Sequence, residues 1–157
     1  MTAEGVLDAL RRRGWSIAAA ESCTGGMITA ALTDIPGSSD VVDRGFVTYS
    51  NAAKIAMLGV RPATLEAHGA VSEAVAAEMA EGALDRSEAD VAVSVTGVAG
   101  PGGSAAKPEG RVCFGLAHGG RVLTETREFG PIGRSGVRAA SVRHALAMVM
   151  SAAFERP

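Results

Sequence analysis

Apolar and polar positions follow two rhythms along this chain, and the switches between them divide it into short helices and strands. Val6, Leu7 and Leu10 mark one face of an opening helix that Gly14 stops. Trp15 to Ala20 reads as a short buried strand. Glu21-Ser22-Cys23-Thr24-Gly25-Gly26 reads as the turn that feeds a helix over Met27 to Leu32, and Pro36-Gly37-Ser38-Ser39 breaks the chain. Gly45 to Ser50 is the second predicted strand, with Val47 and Thr48 beside Phe46 and Tyr49. Asn51 is the expected cap of a helix over Ala52 to Leu58. Pro62 to His68 predicts a short helical piece. Ser72 caps a longer helix to about Asp85, with Val75, Met79 and Leu84 near helical spacing.

Asp90 to Thr96 is the third predicted strand, in which Val91, Val93 and Val95 alternate toward one layer. Gly97 to Gly110 is a loop rich in Gly and Pro. Arg111 to Ala117 and Val122 to Phe129 then bracket Gly119-Gly120, a two-residue hairpin signal. A last helix runs from about Ser135 to Phe154, with Val142, Leu146 and Val149 on one face. Interleaved helices and strands, closed by a hairpin, predict a single three-layer α/β/α domain with a mixed sheet over residues 1–157.

Composition narrows the function. A chain of 157 residues that is 47% hydrophobic can bury one sizeable core, and with 4% aromatics its packing rests on Ala and Gly. Fifteen Lys+Arg against seventeen Asp+Glu leave a formal charge of −2, with no footprint for nucleic acid or an anionic membrane. The run Arg11-Arg12-Arg13 ends a helix, where cations complement the dipole. Two cysteines and three scattered histidines match no metal-site or disulfide spacing, so no metal is expected. No apolar run is long enough to span a bilayer and no basic-then-apolar leader opens the sequence, which predicts a soluble, cytoplasmic protein.

Three segments interrupt the apolar rhythm, each after a predicted strand, and open α/β sheets bind ligands beyond the carboxyl ends of their strands. In the first, Ser22 between strand and helix is presented for attack on a carbonyl. Gly25 and Gly26 admit a substrate, and amides around Thr24, Gly25 and Gly26 are candidate oxyanion donors. The same pattern suits a helix cap, and Cys23 offers a rival nucleophile that alternation would turn the other way. In the second, Lys54 falls in the first turn of a helix, where the dipole disfavours a cation and favours a neutral base. An ordinary solvated lysine is the other reading. Tyr49 and Lys54 are five apart, unlike the Tyr-x-x-x-Lys pair of short-chain dehydrogenases. In the third, the stretch Thr96, Gly97 to Gly103 is a possible phosphate cradle around Gly100, or simply a flexible loop. It lacks the Gly-Lys-Ser/Thr ending of a P-loop. Arg134 and Arg138 open the last helix and carry charge suited to a phosphate.

Together these segments resemble the family of the competence/damage-inducible protein CinA, through its C-terminal domain. The matching motifs are Ala20-Glu21-Ser22-Cys23-Thr24-Gly25-Gly26, Pro36-Gly37-Ser38-Ser39, Gly45-Phe46-Val47-Thr48-Tyr49-Ser50-Asn51-x-x-Lys54, His68-Gly69-Ala70-Val71-Ser72, Thr96-Gly97-x-Ala99-Gly100-Pro101 and Lys107-Pro108-x-Gly110. They run in order from about residue 5 to residue 150. The resemblance implies hydrolysis of nicotinamide mononucleotide (NMN) to nicotinate mononucleotide and ammonia, in pyridine nucleotide salvage. It implies Ser22 as nucleophile, Lys54 as base and Tyr49 as support, with no cofactor and a homodimeric assembly. Thr24, Gly25, Gly26, Thr96, Gly97, Gly100 and Arg138 are the expected substrate contacts. Two departures stand out: the Gly loop is shorter and lacks the family's common Asp, and Ile132-Gly133-Arg134 replaces a common Gly-Asp-Arg. A Ser–Lys amidase for another small amide, and a non-catalytic binding module for DNA uptake or damage response, are the alternatives.

Overall fold

A computed structural model describes residues 2–104 and 106–155. Met1, Arg156 and Pro157, at the ends of the single expected domain, and Ala105, inside the expected Gly/Pro loop, lie outside the described residues. The elements in order are α1 (Ala3–Arg13), β1 (Ile17–Glu21), α2 (Met27–Thr33), a 3-10 turn (Ser38–Asp40), β2 (Val42–Val47), α3 (Asn51–Leu58), α4 (Pro62–His68), α5 (Glu73–Asp85), β3 (Val91–Gly97), β4 (Arg111–His118), β5 (Arg121–Glu128) and α6 (Arg134–Phe154).

Five strands form one mixed sheet in the order β2-β1-β3-β4-β5. β1 runs parallel to both β2 and β3, and β4 and β5 are antiparallel additions. Alternation along the central strands sorts the layers. Ile17 and Ala19 of β1, with Val91, Val93 and Val95 of β3, face a core shared with α1, α2 and α6. Ala18, Ala20 and Ala92 face the opposite core with Leu58, Val75 and Met79 from α3 and α5. The expected α/β/α sandwich is therefore present. No helix among the described residues is long and apolar enough to cross a membrane.

Several boundaries differ from expectation, most by a single residue. The second strand covers Val42–Val47 rather than Gly45 to Ser50, because its partner sets it: Val42 pairs with Ile17, and a bulge then brings Arg44 opposite Ala18. Asp43 and Arg44 are tolerated there because both are exposed at the edge of the sheet, while Val42 and Phe46 pack against its two cores. The first strand is shifted to Ile17–Glu21. Trp15 instead stays outside the ladder, 4.0 Å from the His118 ring. Ser50, not Asn51, caps α3: its backbone is extended (φ −86, ψ 161) and its hydroxyl accepts from Ala53 N. Ser72 caps α5 as expected, accepting from Val75 N at 3.2 Å.

The chain leaves β1 for β2 on one side and later reaches β3 on the other. The carboxyl end of β1 is thus the switch point of the sheet, where such folds open a crevice. Ser22 sits at that point.

Candidate active site

β1 ends between two neighbours that fix its last residues. Glu21 O accepts from Thr48 N at 2.8 Å, and Ser22 N donates to Val95 O at 3.0 Å. Strand alternation then sends adjacent side chains to opposite layers. Glu21 turns toward α2 and Ser22 toward α3, where Lys54 waits.

Lys54 is the largest fully buried side chain among the described residues, 1% exposed. Its Nζ donates to Ser22 Oγ at 2.9 Å and to Tyr49 O at 3.1 Å. Among the described residues no carboxylate pairs with it. Burial holds its pKa below the ordinary 10.5, with the charge interaction of Cys23 a smaller effect in the other direction. A neutral amine can reverse the first bond and accept the Ser22 proton, which is the geometry a general base needs.

Around this pair opens a cleft of about 220 Å3. Thr96 and Gly97 from the end of β3 line it together with Arg134. Thr96 Oγ1 donates to Ala70 O at 2.9 Å, so it ties the loop after α4 to the sheet. Asn51, Ala70 and Val71 also line the cleft. None of the three was an expected substrate contact, although Asn51 lies in the Gly45 to Lys54 motif and Ala70 and Val71 lie in the His68 to Ser72 motif. A larger groove of about 620 Å3 lies away from this site, between the β4–β5 hairpin and α6. It holds a His144–Glu125 pair at 2.5 Å but no buried amine against a hydroxyl.

The remaining expected residues take distinct places. The Tyr49 side chain is 62% exposed, and its hydroxyl accepts from Arg134 Nη2 at 3.0 Å. Tyr49 reaches the Ser–Lys pair through its backbone carbonyl, not its phenol. Cys23 is 5% exposed and packs into the α1–α2–α6 core, where burial pushes its thiol pKa up to about 11. That suits an inert thiol rather than a nucleophile. Thr24 is buried and donates to Glu21 Oε1. Gly25 and Gly26 adopt positive φ (55 and 106), which the tight turn into α2 requires. The Gly25 amide is committed to Ser22 O at 3.0 Å, so it belongs to the turn rather than to an oxyanion.

Arg138 is not on the cleft wall. Its Nε donates to Cys23 O at 3.0 Å and its Nη2 to Thr24 O at 3.4 Å, so it clamps the Ser22 turn from behind. Arg134 takes the exposed position instead, donating to Gly100 O at 2.7 Å and to Tyr49. Gly100 is held at φ +90, and a Cβ there would collide with Glu109. Among the described residues no three His, Cys, Asp or Glu side chains gather as a metal-ligand group. The arrangement is thus a buried hydroxyl–amine pair under a cleft with one arginine at its mouth.

Known proteins agree on the family. The CinA C-terminal domain family profile matches residues 1–153. A protein from Enterobacter agglomerans named nicotinamide-nucleotide amidohydrolase PncC is 62% identical over 123 residues, 77% of this chain and 75% of that protein. A CinA-like protein from Chlorobaculum tepidum is 59% identical over 115 residues, 73% of this chain but only 27% of that longer relative. In three dimensions the chain superposes on the competence/damage-inducible protein CihA from Agrobacterium tumefaciens with a TM-score of 0.92 and 52% identity, covering 95% of this chain and 92% of that one. The chain belongs to the CinA C-terminal domain family.

Proposed function

We propose that this chain is a nicotinamide-nucleotide amidohydrolase that converts NMN and water to nicotinate mononucleotide and ammonia. The observation that carries the reading is the 2.9 Å contact between Lys54 Nζ and Ser22 Oγ, with no carboxylate partner for the amine among the described residues. The 62% identity to a protein of that name supports the substrate.

The chemistry is acyl transfer. Neutral Lys54 takes the Ser22 proton as Oγ bonds to the carboxamide carbon. The carbonyl π electrons move to oxygen, where turn amides beside Ser22 stabilise them; the amide of half-buried Gly26 donates to no other atom among the described residues. Lysine then returns its proton to the amide nitrogen, the C–N bond breaks and ammonia leaves. Water repeats the cycle on the nicotinoyl ester, freeing the carboxylate and Ser22.

Arg134 lines the cleft with no carboxylate partner among the described residues, which supports it as the contact for the nucleotide phosphate. Action on a phosphorylated nucleotide fits the cytoplasm and the salvage of pyridine nucleotides. A homodimer belongs to the same reading, and light scattering of the purified chain tests it.

Measuring ammonia release from NMN, nicotinamide, glutamine and NAD tests the activity. Selective release from NMN supports it. Release from another amide reassigns the substrate, while silence on all four beside a stable protein complex favours the binding module.

A further inference from the structure

Glu21 is a buried charged side chain that the acyl-transfer chemistry does not use. It is 0% exposed, at the last position of β1 and directly before Ser22. Its carboxylate accepts four hydrogen bonds. Oε1 takes Thr24 Oγ1 at 2.7 Å and Ile28 N at 2.8 Å. Oε2 takes Thr29 N at 3.0 Å and Thr29 Oγ1 at 2.9 Å. Four donors on two oxygens use the full accepting capacity of a carboxylate. Two of them are orphan amides in the first turn of α2, whose own cap, Gly26, has no side chain to offer.

The cradle is matched from the other side. A Cβ at Gly45 of β2 would collide with Thr29 Oγ1, so only glycine lets β2 pass this close to the hydroxyl. Glu21 therefore joins both ends of the segment that contains Ser22: β1 enters it, and α2 leaves it. Because adjacent strand residues face opposite layers, Glu21 performs this on the side away from Lys54.

We propose that Glu21 is the positioning residue of the site, holding the Ser22–Gly26 turn so that Ser22 Oγ stays within reach of Lys54. The proposal rests on the acyl-transfer reading, but its effect on Ser22 can be measured without NMN. A carboxylate is required because two backbone amides and two hydroxyls must all be accepted. In Glu21→Gln the amide NH2 would face a backbone N–H, which cannot turn round to accept, and the turn must shift. A shift of about 1 Å at a nucleophile costs on the order of 10²-fold in rate.

The test compares the full chain with Glu21→Gln and with Thr29→Val, which keeps the shape and removes one donor. Two rates are read: ammonia release from NMN across pH, and covalent labelling of Ser22 by a fluorophosphonate. Expected for folded Glu21→Gln is a loss on the order of 10²-fold in kcat and a parallel loss in labelling rate. The KM for NMN and the apparent pKa of the rate profile should stay unchanged, because Glu21 neither lines the cleft nor touches Lys54. Thr29→Val should show the same pattern more weakly, and it decides the matter if Glu21→Gln does not fold. Parent-like kcat and labelling in a folded variant overturn the proposal. So does a displaced rate-profile pKa, which would make Glu21 an electrostatic tuner of Lys54. A parent that labels at Ser22 but leaves NMN intact refutes the substrate reading alone, and the labelling rates still judge Glu21. A parent that does neither overturns both.

Discussion

Lys54 reaches Ser22 Oγ across 2.9 Å from the first turn of α3, with the Tyr49 carbonyl as its second acceptor. A helix N-terminus repels a cation, burial withholds water from it, and no carboxylate among the described residues compensates. All three effects favour the neutral amine, and they act on the group that must accept the serine proton.

The arginine substitution separates a base from a charge. Arginine keeps the positive charge but cannot lose its proton near neutral pH. Lys54→Arg is therefore expected to lose activity about as fully as Lys54→Met, roughly 10²- to 10⁴-fold. The parent rate should rise with pH through one ionisation below the ordinary 10.5 of lysine. An arginine variant clearly more active than the methionine variant in steady-state assays would make Lys54 an electrostatic clamp.

The same burial has a stability signature. A base whose folded pKa is depressed binds fewer protons folded than unfolded, so stability rises with pH between the folded value and 10.5. Below the folded value the penalty is complete. Lys54→Met removes it, so the variant should melt above the parent on the acid side, with the gap closing as pH approaches 10.5. Thermal melts across pH check this, and a constant gap would contradict it.

Serine and cysteine sit side by side, and their environments assign the roles. With its pKa pushed up to about 11, the Cys23 thiol is almost wholly protonated at neutral pH. Ser22→Ala should lower turnover by about 10³-fold or more with the fold intact. Cys23→Ala should stay within a few-fold of the parent and cost about 1 kcal/mol of stability. Turnover assays that show loss only in Cys23→Ala would transfer the nucleophile role.

Two arginines near the site have separable jobs. Arg134 faces the cleft and Arg138 holds the carbonyls of Cys23 and Thr24. NMN should be a far better substrate than nicotinamide riboside, and Arg134→Ala should narrow that gap by harming NMN alone. Arg138→Ala should slow both substrates together, because it loosens the turn that carries Ser22. Equal rates for NMN and riboside in the parent enzyme would remove the phosphate site.

The sequence by itself determined what local chemistry can dictate. Pro62–His68 and the end of α6 at Phe154 lie where periodicity and breakers predict them. Gly119-Gly120 turns the hairpin with both φ positive (58 and 78), as only such residues do easily. Ser22 and Lys54 were legible as candidates because each occupies a position relative to its own element that is exposed to reaction or unfavourable to charge. Tertiary structure decided the rest. The limits of β2 came from pairing with β1, since Asp43 and Arg44 face water and carry no apolar signal. Thirty-two residues separate Ser22 from Lys54, and only packing α3 onto β1 turns two candidates into one hydrogen-bonded pair. Sequence placed Glu21 in a turn and Arg138 at the phosphate, because neither burial nor the direction of a long side chain is encoded locally. The fold buried the first under α2 and turned the second onto the backbone behind Ser22, because unsatisfied donors and acceptors in a closed layer must find each other.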